Sequence, residues 1–158
     1  MGEGRADDRF TVRHLEVKSE SKRPVAGAAL DAATSKRMRS QRTTATRPEE
    51  ELAALLRRRG YLVEQNRPDL PGRPDIVLPR RGIAIFVHGC FWHGCHRHGT
   101  IPRNNRSWWT AKIEANRARD RRKSAGLRRL GWHVLTLWEH DEPESCLARI
   151  RAVEGRIR

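Results

Sequence analysis

A short segment in the middle of the chain carries cysteine and histidine side chains at a spacing typical of metal ligands. Cys90, Cys95 and His98 form a C-x4-C-x2-H pattern. Zinc prefers four nitrogen or sulfur ligands in a tetrahedron, and structural zinc sites fill all four positions. A fourth ligand must therefore come from elsewhere, and the best candidate is His140, which follows the end of an apolar segment. The other candidates for this ligand are His93, His96 and Cys146.

A carboxylate before another apolar segment has the position of a nuclease metal ligand. Asp75 follows Pro74, and in one large group of nucleases a Pro-Asp pair opens a strand, with an acidic-x-Lys element on the next strand. Such carboxylates bind Mg²⁺, which positions water and offsets charge on the phosphate. Turns are also rich in Pro-Asp pairs, and the next apolar segment reads Ile-Phe-Val-His-Gly, without the acidic-x-Lys element. The residues therefore predict this chemistry only if histidines have taken over the missing role.

The charge of the chain indicates a polyanionic partner. Lys and Arg number 33 against 19 Asp and Glu, which gives a formal net charge of +14. This excess favours nucleic acid over a membrane as the partner; an inert, Arg-rich surface is the alternative. We expect no membrane association, because no apolar run is long enough to span a bilayer or to form a secretory signal. Cysteines among histidines favour metal binding in a reducing compartment, so we predict a cytoplasmic protein.

The spacing of apolar and turn residues predicts alternating helices and strands. Pro48 and the three glutamates after it suit a helix N-terminus, the leucines that follow have helical spacing, and Gly60 ends the run. Two apolar segments joined by Arg-Arg-Gly predict a hairpin, and a long basic helix follows the Cys/His segment. The predicted strands are 61–63, 75–79, 83–87 and 132–138, and the predicted later helices are about 107–130 and 144–153.

The order of these elements predicts an α/β fold with a mixed central sheet flanked by helices. Residues 1–33 are polar and charged without sustained periodicity, so we predict a disordered tail there. Residues 34–158 are predicted to form a single domain, since a chain of this length can hold one hydrophobic core.

Several short blocks of the sequence resemble the very-short-patch repair (Vsr) endonuclease family. They lie in the same order and at family-like spacing from about Asp31 to His140, which is roughly two thirds of the chain. The resemblance implies a fold like that of type II restriction endonucleases and a structural zinc. It also implies Mg²⁺-dependent nicking on the 5′ side of the T in a T:G mismatch, the lesion left when 5-methylcytosine deaminates. The blocks are RMRSQ, the helix with Glu49, LPGRPDIV, FVHGCFWH, the Trp108-Trp109 pair, RDRR and LGWHVLTLWE.

The resemblance assigns the binding of two Mg²⁺ ions to a few residues. Asp75 matches the catalytic aspartate that binds the metal. Val87 stands where some members have Thr, and its contact with the metal is through the main-chain carbonyl. Glu49 matches a helix glutamate that holds metal-bound waters; the alternative is a simple charge at the helix N-terminus.

The resemblance also implies a histidine general base. His93 matches the histidine proposed to activate water, Asp120 matches its orienting carboxylate, and His88 matches a histidine beside the scissile phosphate. Histidine is a credible base near neutral pH, and a carboxylate fixes its tautomer. For Asp120 the alternative is an ordinary surface carboxylate paired with a neighbouring arginine.

Two groups of residues are implied in DNA binding. Phe91, Trp92 and Trp109 match aromatic residues that wedge into the base stack beside the mismatch, where unstacking costs least; Phe91 and Trp92 as plain core residues are the alternative. A basic run on the long helix is predicted to contact phosphates, with a solvated helix face as the alternative. This run comprises Arg119, Arg121, Arg122 and Lys123.

The metal ligands depart from the family pattern. Some members have histidines where this chain has Gly94-Cys95, and a cysteine where His140 stands. Cys and His are thus exchanged, and a four-ligand nitrogen and sulfur set is kept. We predict that zinc on Cys90, Cys95, His98 and His140 holds the interleaved His88 and His93 in register.

Three functions are compatible with the sequence. The leading hypothesis is a Mg²⁺-dependent endonuclease that acts on double-stranded DNA at a T:G mismatch, as a monomer and in partnership with mismatch-repair proteins. The second is a nuclease of the same fold that recognises another mismatch, a modified site or a restriction target. The third is a zinc-stabilised DNA-binding module without catalysis.

Overall fold

The computed structural model of the chain describes residues 46–157. The predicted disordered tail, residues 1–33, lies outside this range. Three helices and four strands follow one another in the predicted order. The helices are α1 (Arg47–Arg58), α2 (Arg106–Arg129) and α3 (Pro143–Ile157). The strands are β1 (Glu64–Gln65), β2 (Ile76–Leu78), β3 (Ile83–His88) and β4 (His133–Trp138).

The strands form one mixed sheet in the order β1-β2-β3-β4. The first three are antiparallel neighbours, and Gly82 supports the tight link between β2 and β3 with a φ of 62°. The last pair, β3 and β4, is parallel, with Val87 opposite Leu137. Parallel neighbours need a long crossover, and α2 supplies it. The predicted mixed sheet flanked by helices is confirmed, while its likeness to restriction endonucleases stays a prediction.

Two element boundaries were predicted wrongly. The strand expected at 61–63 lies at Glu64–Gln65, because only these two residues reach the register of β2; Tyr61 and Val63 pack against the core instead. The last helix runs to Ile157 rather than to residue 153. Its extra turn contains Glu154, which accepts a hydrogen bond from the Tyr61 hydroxyl at 2.9 Å.

The sheet separates two hydrophobic cores, and this separation decides where polar side chains emerge. Alternate strand residues point to opposite faces. Ile76, Ile85 and Leu137 pack with α1 and α3 on one face, whereas Val77 and Phe86 pack under α2 on the other. By the same alternation, residue 75 before β2 and residue 88 at the end of β3 share the α2 face. None of the helices within residues 46–157 has the apolar length needed to cross a membrane.

Candidate active site and metal centre

The segment between β3 and α2 folds into consecutive tight turns that gather metal-ligand side chains. The main-chain N–H of Cys95 donates to the carbonyl of Cys90 at 2.9 Å. These turns bring Cys90, Cys95 and His98 together, and His140, just beyond β4, joins them. The four ligand atoms all lie within 4.8 Å of one another. Of the other candidates for the fourth ligand, His93, His96 and Cys146, none belongs to this cluster.

The donor set of this cluster fits a borderline divalent metal. The Sγ of Cys90 lies 2.9 Å from Nδ1 of His140 and 3.8 Å from Nδ1 of His98. Two thiolates and two imidazoles at such distances match a closed tetrahedral site. Burial, helped by the Cys95 thiol and the Glu139 carboxylate, raises the pKa of Cys90 to about 12. A divalent cation would stabilise the thiolates that burial disfavours.

A second cluster lies beside this segment and contains His88 from the end of β3, His93 from the segment and Asp120 from α2. Nδ1 of His93 is 2.6 Å from Oδ2 of Asp120, which projects from α2. The two imidazole rings are stacked at a centroid separation of 3.9 Å. Nε2 of His88 is 3.9 Å from the same Asp120 oxygen. Burial lowers the pKa of His88 to about 4, with help from the neighbouring His93, so this imidazole is neutral at pH 7.

Asp75 is tied to the end of β3. Its Oδ2 accepts a hydrogen bond from the main-chain N–H of Val87 at 2.8 Å. Burial raises the pKa of Asp75 to about 6 against the effect of this bond; Glu49 and Asp120 add to the rise and Lys123 opposes it. Since burial is the main cause of this rise, a bound cation would offset the cost of keeping the Asp75 carboxylate charged.

Glu49 forms a capping box at the start of α1. The residue is only 7% exposed, in the first turn of α1. Its carboxylate accepts hydrogen bonds from the main-chain N–H of Thr46 at 3.1 Å and from the Thr46 hydroxyl at 2.7 Å. Such a capping box satisfies donors that a helix start leaves unpaired. Glu49 nevertheless lies close enough to Asp75 to raise the pKa of that carboxyl.

Three residues that the sequence did not single out hold the Cys/His segment in place. From α2, Asn116 donates to the carbonyl of Trp92 at 2.9 Å, and Arg117 donates to the carbonyls of His93 at 3.1 Å and Gly94 at 2.5 Å. From the end of β4, Glu139 accepts the N–H of Cys90 at 2.6 Å. The only signal in the sequence is that Asn116 stands one helical turn before Asp120 and so shares its face.

Comparison with known proteins agrees with this arrangement. The sequence profile of the family described as DNA mismatch endonuclease Vsr matches residues 29–98. A type II nicking enzyme of Xanthomonas oryzae pv. oryzae is 46% identical over 122 residues, which cover 77% of this chain and 86% of that protein. The DNA mismatch endonuclease Vsr of Escherichia coli is 42% identical over 109 residues, covering 68% and 70%. The chain belongs to the Vsr endonuclease family.

A further relative is also named as a nicking enzyme. This type II nicking enzyme of Lentzea aerocolonigenes is 36% identical over 128 residues, 78% of this chain and 77% of that protein. Membership of the Vsr family makes the chain a DNA-cleaving hydrolase with DNA as its substrate. The third hypothesis, a binding module without catalysis, is therefore set aside.

The aromatic residues of this Vsr endonuclease form one cluster beside the histidines. The ring centroid of Phe91 lies 5.0 Å from that of Trp92 and 5.0 Å from that of Trp109. Trp109 is only 7% exposed, and Trp108 packs edge-on against it at 4.9 Å. The cluster is thus packed as a unit in the structure, with Phe91 and Trp92 half-buried at its outer side.

The basic run of α2 divides into two groups. Arg119, Arg121 and Arg122 are exposed. Lys123 instead packs its aliphatic stem against Gly72, where an added Cβ would lie 2.5 Å from the lysine Cγ, and its Nζ lies 5.9 Å from the ring centroid of Phe86. The ammonium therefore faces the Asp75 region, where it acts against the rise in that carboxyl's pKa. In this Vsr endonuclease a lysine from α2 stands near the aspartate, while β3 carries none.

Proposed function

We propose that this Vsr endonuclease nicks double-stranded DNA on the 5′ side of the T in a T:G mismatch, in a Mg²⁺-dependent reaction. The observation that carries the proposal is the His93–Asp120 contact of 2.6 Å, stacked beside His88 on the sheet face that also bears Asp75. A histidine held by a carboxylate, next to a partly buried aspartate, is an arrangement suited to deprotonating water beside a phosphate.

His93 is the general base of the proposed mechanism. Asp120 accepts the Nδ1–H of the imidazole, so the lone pair that remains is on Nε2. This nitrogen takes a proton from the attacking water, and the Asp120 carboxylate stabilises the imidazolium that forms. The tautomer is assigned from the hydrogen bond, since a carboxylate accepts and does not donate.

His88 acts as a neutral partner rather than as a second base. Its lowered pKa keeps the imidazole uncharged at pH 7, so it does not compete with His93 for the proton of the water. Stacking at 3.9 Å holds the His93 ring in one orientation. A neutral imidazole also has an N–H that can donate to a phosphate oxygen.

Asp75 and the main-chain carbonyl of Val87 are the residues that would hold Mg²⁺. The Val87 N–H points toward Asp75. Since the N–H and C=O of a strand residue point to the same side of the strand, the Val87 carbonyl also faces Asp75. One oxygen of Asp75 is bound by that N–H, which leaves the other for a metal. When bound, Mg²⁺ would supply positive charge to the phosphate and order the water around it. Glu49, buried in the capping box, would accept hydrogen bonds from that water shell.

Zinc is the proposed occupant of the Cys90, Cys95, His98 and His140 cluster. Four protein ligands close the site, so its contribution is structural. His93 stands two residues before Cys95, and its main-chain N–H donates to the carbonyl of Gly89 at 3.2 Å. A metal that fixes Cys90 and Cys95 would therefore also fix the turn that carries the general base.

Specificity for a T:G mismatch is supported by the aromatic cluster. Phe91 and Trp92 are half-buried rings at the end of the site, and unstacking costs least where base pairing is already weakened. One relative is named a DNA mismatch endonuclease. Others are named type II nicking enzymes, which favours a second candidate function, nicking at another mismatch, a modified site or a restriction target.

A strand-resolved nicking assay decides between these functions. Duplexes with one T:G mismatch, with each strand end-labelled in turn, are compared with T:A and C:G duplexes and with a panel of other mismatches and flanking bases. We expect one cut 5′ to the mismatched T, which is absent from Asp75→Ala. The control Asp69→Ala removes an exposed aspartate that is bound to Arg67, and this variant should cut normally. Equal cutting of matched and mismatched duplexes would remove the mismatch role and leave the nuclease.

We further propose that the enzyme acts as a monomer, since nicking one strand needs one active site. Light scattering is expected to show a monomer for the protein alone and one protein per duplex when mismatched DNA is bound. Partnership with mismatch-repair proteins is proposed on the same function and would be tested by co-purification from cells that carry them.

A further inference from the structure

An open cleft of roughly 580 Å³ extends from the two histidines along the side of α2. It lies between α2 and β4, and β4 is an edge strand of the sheet among residues 46–157. His88 and His93 belong to its lining, and so does Arg128, near the end of α2. The cleft is therefore continuous with the proposed catalytic residues.

One face of α2 supplies the wall of this cleft. Arg117, Arg121, Ser124 and Arg128 follow one another at intervals of four, three and four residues, the spacing of a single helix face. From Asp120 to Arg128 the helix rises about 12 Å at ~1.5 Å per residue. A DNA strand that rises ~3.4 Å per nucleotide covers this distance in three to four nucleotides.

The cleft has positive charge that the protein itself does not neutralise. Asp120 is the one carboxylate in its lining, and that carboxylate is held by His93. Arg117 donates to two main-chain carbonyls. Arg121 and Arg128 are exposed and form no ion pair with any residue between 46 and 157. A free guanidinium fork matches the oxygens of a phosphate.

The floor of the cleft favours a phosphate backbone over an added strand of protein. Thr136 on β4 lies on this floor, and its main-chain carbonyl already accepts a hydrogen bond from Arg149 at 2.8 Å. This bond removes an acceptor that a pairing β-strand would need. The hydroxyls of Ser124 and Thr136 can donate to phosphate oxygens.

We propose that this cleft binds the sugar-phosphate backbone of the strand that is cut, on one side of the scissile phosphate. Arg121 and Arg128 each bind one phosphate, three to four nucleotides apart at most. The inference rests on the proposed function for the position of the scissile phosphate beside His88 and His93. It assigns to Arg128, Ser124 and Thr136 a role in substrate binding.

Binding experiments on Arg128→Gln test the cleft. The affinity for a duplex is measured in Ca²⁺ between 50 and 200 mM salt, with Arg156→Gln on α3 as a variant of equal charge change on the opposite face of the sheet. We expect Arg128→Gln to weaken binding roughly five- to tenfold and to reduce the salt slope by about 0.9, the effect of one lost phosphate contact. Arg156→Gln should leave both unchanged. Equal losses in the two variants would mean a general field effect and would overturn the proposal.

Phosphate ethylation interference locates the contact. For the wild-type protein we expect ethylation within four nucleotides of the nick, on one side and in the cut strand, to block binding. In Arg128→Gln one of these positions should become insensitive, while Arg156→Gln keeps the wild-type pattern. Interference at positions confined to the uncut strand would contradict the proposal.

Different results would contradict the proposal for the cleft and the proposal of mismatch specificity. If binding shows no preference for a T:G duplex, the proposed specificity falls. The salt slope of Arg128→Gln on a matched duplex still decides the cleft, because phosphate contacts do not depend on base sequence. If binding prefers the T:G duplex but Arg128→Gln has the same salt slope as the wild-type protein, only the proposal for the cleft is wrong.

Discussion

Arg117 fills the space that the missing side chain of Gly94 leaves free. A Cβ on Gly94 would lie 2.7 Å from Nη2 of Arg117 and 2.8 Å from Cγ2 of Ile113. Gly94 also has a φ of +62°, in the left-handed region that favours glycine. The guanidinium uses this space to bind the carbonyls of His93 and Gly94, so the main chain beside the proposed base is locked to α2.

Gly94→Ala is expected to destabilise the protein by about 2–3 kcal/mol, because left-handed strain and a steric clash add. The nicking rate should fall at least tenfold, since His93 moves with the turn. Gly60→Ala isolates the strain, because Gly60 has a φ of +83° with nothing within 4 Å of the added Cβ. Urea unfolding and single-turnover nicking measure the two effects. Equal losses in the two variants would show that the Arg117 contact is unimportant.

Asp120→Asn is expected to lower the single-turnover nicking rate by roughly 10²–10⁴-fold, because the amide no longer fixes the tautomer of His93 or stabilises its charged form. Affinity for DNA in Ca²⁺ should change little. Glu114→Gln removes an exposed carboxylate from the same helix and should leave the rate unchanged. A rate for Asp120→Asn within threefold of wild type would rule out His93 as the base held by this residue.

His140→Ala is expected to lose the bound zinc and several kcal/mol of stability, because a structural site needs its fourth ligand. His140→Cys should keep one equivalent of zinc, since the nitrogen and sulfur donor set still fills a tetrahedron. Metal analysis and thermal unfolding follow both variants. The buried Cys146 is outside the cluster, so Cys146→Ala should retain the metal. Zinc retained at full occupancy in His140→Ala would assign the fourth ligand elsewhere.

Asp75→Asn is expected to stabilise the protein in Mg²⁺-free buffer at pH 8 and not at pH 4. The folded pKa of Asp75, about 6, lies above the unfolded value of 3.8, so folding favours the protonated form. The stabilisation by Asp75 is complete below the unfolded pKa and is lost as pH rises through about 6. A pKa difference of this size corresponds to at most about 3 kcal/mol in the free energy of unfolding at pH 8. Unfolding in urea from pH 4 to pH 8 measures the difference.

Asp69 provides a control, because its pKa is shifted in the opposite direction to that of Asp75. A hydrogen bond from Arg67 lowers the pKa of Asp69, so its contribution to stability is present above the unfolded pKa and is lost as pH falls. Asp69→Asn should therefore destabilise the protein at pH 8, and only weakly, because this pair is partly exposed. A pH-independent effect of Asp75→Asn would contradict the raised pKa of that residue.

Much of the fold follows from local sequence patterns. The strands β2, β3 and β4 and the basic helix α2 were predicted within one or two residues, because apolar runs and Gly turns are strong local signals. The short strand β1 was misplaced, because two residues carry no periodicity and their pairing with β2 is decided only by register. The gathering of His140 with Cys90, Cys95 and His98 was predicted from ligand counting and family resemblance together.

The sequence by itself determined the chemistry that the chain has available: its ligand types, its acidic and basic groups and the Vsr family. Only the tertiary structure decided which groups act on one another. The Asp75–Val87 bond depends on the pairing of β2 with β3. The His93–Asp120 contact and the approach of Lys123 depend on α2 crossing over one face of the sheet. The contacts of Arg117 and Asn116 were invisible in the sequence for the same reason. Each joins residues more than twenty positions apart, and no local pattern encodes a distance across a crossover.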